Sequence, residues 1–197
     1  MHRTGLRLLL GVLLCAAPAA AQRPAPSASS GNLSRLDVSL GYSYLRASTV
    51  TSTKFDMHGG NLEVAVNLNE WLGVVGDFGG HYASNASAGA SLSLFSYMVG
   101  PRVSIRKAGP ITPFAHLLLG GGHVGGSLYT TNFQGGAASR NAFAGILGGG
   151  LDLNLSRHVA IRAVQIDWMH SQFANGAHDR QNSLRLTAGL VFRFGGD

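Results

Sequence analysis

"NSLRLTAGLVFRFGGD" (Asn182–Asp197) carries an apolar side chain at every second position: Leu184, Leu186, Ala188, Leu190, Phe192 and Phe194. Between them stand Arg185, Thr187, Gly189, Val191 and Arg193. Successive side chains of a β-strand point to opposite faces, so the stretch reads as one strand with an apolar face and a face bearing two arginines. A soluble sheet would hide the apolar face in a core and cover the other with Lys and Glu. In this chain the second face carries mostly small residues. Charged residues are 12% of the total, and 28 of the 197 residues are Gly. That composition suits a sheet whose apolar face meets lipid and whose other face lines a narrow interior.

The same alternation occurs seven more times upstream. "RLDVSLGYSYL" sets Leu36, Val38, Leu40, Tyr42 and Tyr44 against Asp37, Ser39, Gly41 and Ser43. "GNLEVAVNL" (60–68) and "WLGVVGDFGGHY" (71–82) follow, with a tight turn at Asn69-Glu70. The fourth run sets Phe95 to Ile105 at odd positions against Met98, Arg102 and Ser104. In the fifth, "TPFAHLLLGGGH" (112–123), both faces are apolar; Ala115, Leu117 and Leu119 are placed outward, Phe114 and His116 inward. The sixth covers 142–154, with Asp152 and Asn154 inward. In the seventh, "VAIRAVQIDWMH" (159–170), Arg162 is even while Gln165 and Asp167 are odd. One extra residue near Ala163-Val164 puts all three on one face, which predicts a β-bulge there.

Connectors alternate between short turns and longer stretches at 47–57, 83–90, 124–141 and 171–182, rich in Gly, Ser, Asn, Thr and Ala. Strands of about ten residues joined in this way are the pattern of a transmembrane barrel, with short turns in the periplasm and long loops outside. A closed sheet also pairs every backbone group, as hydrocarbon requires. The expected fold is therefore all-β: an eight-stranded antiparallel transmembrane β-barrel, an up-and-down meander over 35–194.

The N-terminus is consistent with export. Arg3 and Arg7 precede the apolar stretch "LLLGVLLCAA", and Ala19-Ala20-Ala21 forms a cleavage site, so a signal peptide is expected over 1–21, with cleavage after Ala21. Residues 22–34, rich in Pro, Ser and Ala, read as a flexible tail, and 195–197 as a short C-terminal tail. Cys15 leaves with the signal, which excludes disulfides and thiolate chemistry from the mature chain. Without Arg3 and Arg7 the charges are 13 basic against 9 acidic. The basic residues are scattered singly and form no nucleic-acid patch.

The stretches "GGNLEVAVNLNEWLGVVGDFGG", "VGPRVSI", "PFAHLLLGGG" and "GLVFRF" (within 59–194), with the signal peptide, resemble the small eight-stranded outer-membrane β-barrel proteins, the group that includes the OmpA transmembrane domain. The resemblance implies a place in the cell outer membrane, among outer-membrane lipids and lipopolysaccharide. It also implies assembly by machinery that reads Phe192 and Phe194 in the last strand. In that family the aromatic ends the chain; here Gly195-Gly196-Asp197 follow. No counterpart of the peptidoglycan-binding domain of OmpA is expected.

Three groups of residues could carry function. Glu63, Asp77, Arg102, Arg162 and Asp167 fall inward and away from the strand ends. Charges in a narrow lumen must pair or be hydrated, so an acid/base network is expected to plug it. Such a network either fills and rigidifies the barrel or, as in the OmpA barrel, forms a gate to a small low-conductance channel. His58, His81, His123 and His170 fall near outer strand ends, with His178 in the last loop. They are expected at the extracellular rim, and no ligand spacing supports a metal. Adjacent His170 and Ser171 invite comparison with outer-membrane lipid A deacylases, but they lie on opposite faces of a strand and no acidic residue on the eighth strand orients the histidine. The "GGG" runs at 120–122 and 148–150 lack the Lys and helix of a phosphate loop. The expectation is a monomeric, non-enzymatic barrel of structural or surface-interaction type without cofactors, with a gated channel as the alternative and a rim lipid hydrolase as the outsider.

Overall fold

A computed structural model describes residues 34–48, 54–87, 90–106, 109–126, 138–172 and 181–195. The expected signal peptide, nearly all of the 22–34 tail, the last two residues and His178 lie outside these. The described residues form eight strands: β1 (Leu36–Ser48), β2 (Lys54–Asn67), β3 (Leu72–Ser87), β4 (Ala90–Ser104), β5 (Ile111–Gly126), β6 (Ala138–Asn154), β7 (Val159–Ser171) and β8 (Gln181–Phe194). Each pairs antiparallel with the next, and β1 pairs with β8 from Leu36↔Phe194 to Arg46↔Leu184, closing the barrel.

Exposure alternates along most of each strand. Leu40, Val74, Phe78, Val99, Leu117, Leu147, Ile166 and Leu190 all face outward and are exposed, while Asp77, Arg102, Gln165 and Arg185 are buried. A water-soluble protein does not expose a continuous belt of large apolar side chains; hydrocarbon stabilises it, because the closed ladder leaves no backbone group unpaired. Tyr42, Tyr82, Phe95 and Trp168 ring the end bearing the longer connectors; Trp71 and Phe194 lie at the other, as aromatic girdles do at the two membrane interfaces.

The seventh strand carries the bulge that its broken parity predicts. Asp152 pairs with Arg162 and Leu151 with Val164, so Ala163 is skipped, and Arg162 and Gln165 both face inward. In the short turns, Asn69 Oδ1 accepts from the Trp71 and Leu72 amides at 3.0 and 2.7 Å. Ser156 Oγ likewise accepts from the His158 and Val159 amides, at 3.3 and 3.1 Å. These are the side-chain-capped turns that Asn and Ser favour.

The strands are longer than the expected ten residues, running from 13 to 17. About 9–11 tilted residues cross the hydrocarbon, so the ladder continues beyond it at the end bearing the longer connectors. The sequence reads 83–87, 124–126 and 138–141 as parts of the longer connectors, which are rich in small and polar residues. Beyond the membrane both faces can be polar, and backbone pairing alone continues the strand.

Candidate functional site

The interior is built from inward positions on all eight strands. Three guanidiniums lie there, on Arg102, Arg162 and Arg185, none more than 2% exposed. Arg102 Nη1 donates to Glu63 Oε1 at 2.8 Å and its Nη2 to Asp152 Oδ2 at 3.2 Å. Arg162 reaches the same two carboxylates, Nε to Asp152 Oδ1 and Nη1 to Glu63 Oε1, both at 2.9 Å. The two like charges approach because two carboxylates lie between them and because both sit over the Phe114 ring, 4.0 and 4.4 Å from its centroid.

Arg185 holds a second cluster. It meets Asp77 in a bidentate pair, Nη1 to Oδ1 at 2.9 Å and Nη2 to Oδ2 at 2.8 Å. Its Nε and Nη2 also donate to Asp167 Oδ2, at 2.9 and 2.8 Å. Gln165 joins the clusters: its amide donates to Asp167 at 2.8 Å, and its oxygen accepts from Arg162 at 2.7 Å. His116 is a second link. Its Nε2 is 2.8 Å from Asp167 Oδ1, and its Nδ1 lies 3.9 Å from Glu63 Oε2. Four carboxylates thus surround three arginines and one histidine.

Apolar packing accompanies the charges. Towards the end bearing the longer connectors, Leu45, Met57, Ala83, Leu92, Leu94 and Val124 pack across the interior and are at most 8% exposed. Ala65, Val75, Met98, Leu118, Ala144, Ile146 and Met169 form another buried cluster. The gap between Ser39, Asn61, Arg162 and Thr187 has no room for a water molecule.

All five charged residues singled out from the sequence, Glu63, Asp77, Arg102, Arg162 and Asp167, lie in this one network. Asp152, Arg185 and His116 belong to it as well. Their inward parity is readable in the sequence, although Asp152 and Arg185 lie nearer the strand ends. Strand stagger in a tilted barrel brings end residues of one strand level with middle residues of another, and no single strand displays that.

The histidines do not converge. His58 is exposed on the outer surface, and His123 and His170 are half-exposed there, with Nδ1 of each donating to a neighbouring strand, to Asn141 at 2.7 Å and to Asn182 at 2.9 Å. His81, expected at the rim, turns inward instead; it is 3% exposed, with Nε2 2.9 Å from Ser43 Oγ. It shares the parity of Asp77 and so the inner face. Among the described residues no three His, Cys, Asp or Glu side chains are grouped as metal ligands. Ser171 is buried and bonded to Gln181, while His170 faces the other way, as strand alternation requires. Phe194 is exposed opposite Leu36 at the closing seam, and Phe192 pairs with Val38.

The chain matches the family model for the outer membrane protein beta-barrel domain over residues 8–194. It belongs to that family. No curated protein sequence matches the chain. Among solved structures this family member is similar to Neisserial surface protein A, with a TM-score of 0.69 and 14% identity, covering 82% of this chain and 98% of that one. It is similar to the attachment invasion locus protein Ail of Yersinia pestis, at 0.55 and 20%, covering 81% and 97%. It is also similar to OprG of Pseudomonas aeruginosa, at 0.52 and 12%, covering 84% and 98%. At these identities what is shared is the fold: a small outer-membrane barrel set among lipids.

Tight inner packing also lies beside this network. A Cβ on Gly148 would stand 1.9 Å from Asp167 Oδ1 and 2.7 Å from the Ile166 carbonyl oxygen. Gly148→Ala is therefore expected to push Asp167 off its partners and destabilise the barrel by about 1–3 kcal/mol, as overpacking does. The midpoint of urea unfolding in lipid vesicles checks this.

Proposed function

We propose that this outer-membrane barrel is a closed, monomeric protein of structural or surface-interaction type, without enzymatic activity, whose interior conducts no ions. The observation carrying the reading is that three buried arginines are neutralised where they stand and an apolar layer from Leu45 to Val124 lies across the route to the outer end. An ion path through such an interior would need both the charge pairs and the apolar layer to rearrange together. The barrel then serves as a rigid support, and the segments between strands on the outer side meet other molecules. Export with cleavage after Ala21, and assembly through machinery engaging Phe192 and Phe194, complete the proposal.

Planar-bilayer recording of the full mature chain tests it. Discrete conductance steps are expected neither from the wild type nor from Glu63→Gln and Arg102→Met variants. Steps in the wild type that grow when Glu63 or Arg102 is neutralised would establish the gated channel in its place.

A further inference from the structure

We infer that the periplasmic mouth of the barrel binds a soluble oxyanion of the phosphate class, through the guanidiniums of Arg193 and Arg106 beside Asp37. The short turns mark this end as the periplasmic one. The inner wall here is polar and carries Asp37, Asn67, Arg106, Thr112 and Arg193 on inward positions. The inner wall at the other end is apolar, with Leu45, Met57, Leu92 and Val124 packed across it.

Asp37 does not serve both guanidiniums. Its Oδ2 accepts from Arg106 Nη2 at 2.9 Å and its Oδ1 from Ser34 Oγ at 2.6 Å. Arg106 Nη2 also donates to Asn67 Oδ1 at 2.7 Å. Arg193 stands opposite Asp37 in the β1–β8 register and shares the inward parity of Arg185. It nonetheless forms no ion pair among the described residues. The Nε atoms of Arg193 and Arg106 are both buried and without a partner. Buried donors of native proteins are nearly always matched by an acceptor, and two of them on neighbouring cations point to an anion. Burial pushes the Arg106 guanidinium below the usual arginine range, Asp37 opposes that shift and Arg193 adds to it. The two cations are therefore near enough to repel each other, and an anion held by both removes the repulsion.

The surroundings select the class of anion. Arg35 and Arg157 are exposed at the same end. Against Asp37 and Glu70, the four arginines leave an excess of two positive charges among the described residues there. A phosphate dianion carries that charge, and its oxygens accept the forked donors of more than one guanidinium. Arg106 and Arg193 are partly exposed, so a ligand in the periplasm reaches them. They face the lumen and not the bilayer, which favours a soluble ligand over a lipid headgroup. The site lies at the mouth, and ion conductance in the bilayer experiment would leave it standing.

The test is isothermal titration calorimetry of the full mature barrel in a phosphate-free glycoside detergent. Inorganic phosphate is the titrant, at low ionic strength, where screening is least. The wild type is expected to bind one phosphate saturably. R193M and R193Q are expected to bind about tenfold more weakly, the loss of a charge-assisted pair. Arg46, exposed at the other end of the barrel, is the control, and R46A is expected to bind as the wild type does. Phosphatidylglycerol added to the micelles is expected to leave phosphate binding unchanged. Heat-dependent gel mobility confirms assembly, and either assembled Arg193 variant decides the result. Absence of saturable binding by the wild type, or undiminished binding by an assembled Arg193 variant, would overturn the proposal. An equal loss in R46A would make the effect one of net charge and overturn it too. Displacement of phosphate by phosphatidylglycerol would give the site to a lipid headgroup, with the same consequence.

Discussion

Arg185→Met is expected to destabilise the barrel by about 3–5 kcal/mol, the cost of leaving buried carboxylates without their counter-charge. Arg185 is fully buried and makes four hydrogen bonds to Asp77 and Asp167. Met preserves most of the volume, so the loss reports charge rather than a cavity. Asn61 still donates to Asp77 at 2.9 Å, and His116 and Gln165 still serve Asp167, but none of these replaces a guanidinium shared by two carboxylates. The measurement is urea unfolding in lipid vesicles followed by the fluorescence of Trp71 and Trp168, both on the outer surface. Combining Arg185→Met with Asp77→Asn and Asp167→Asn should recover most of the loss, since a buried ion cluster replaced as a whole is often close to neutral. A loss below about 1 kcal/mol, the scale of a solvated pair, would mean that water reaches this cluster and that the interior is not closed.

Val99→Arg is the second large effect, at about 2–4 kcal/mol, because a charge at the bilayer midplane must leave water. Val99 is 57% exposed, between Gly76 on β3 and Leu119 on β5, midway along its strand. On the surface of a water-soluble protein the same change would fall within about 0.5 kcal/mol. The two media thus give different results at one exposed residue, and the same unfolding measurement reads the difference. Val103→Arg, nearer the interface, should lose less, since the penalty falls to about 0–1 kcal/mol there. Equal and small effects at both positions would remove lipid as the solvent of the outer face.

Strand parity carried most of the architecture. From the closing strand alone, the alternation of Leu184 to Phe194 with Arg185 and Arg193 assigns faces, and that assignment holds for Arg185, which is buried, and for Leu190, which is exposed. The seventh strand is the sharper case. Arg162 and Gln165 cannot both face inward in a regular strand, and the skipped Ala163 resolves the conflict where the sequence placed it. Parity also decides His81: it shares the face of Asp77 and, although it stands near a strand end, it lies inside.

What determined the faces was local, because alternation depends only on the geometry of the extended chain. The number of strands, the membrane and the inward set of charged residues all follow from that period. Which inward charges meet depends on stagger and closure around the whole barrel. Arg102 and Glu63 are 39 positions apart, Arg185 and Asp77 are 108, and nothing in either segment encodes the partner. The one-dimensional pattern selected lipid for one face and a packed interior for the other. Only the closed sheet set the height of each residue, and height decides which charges pair.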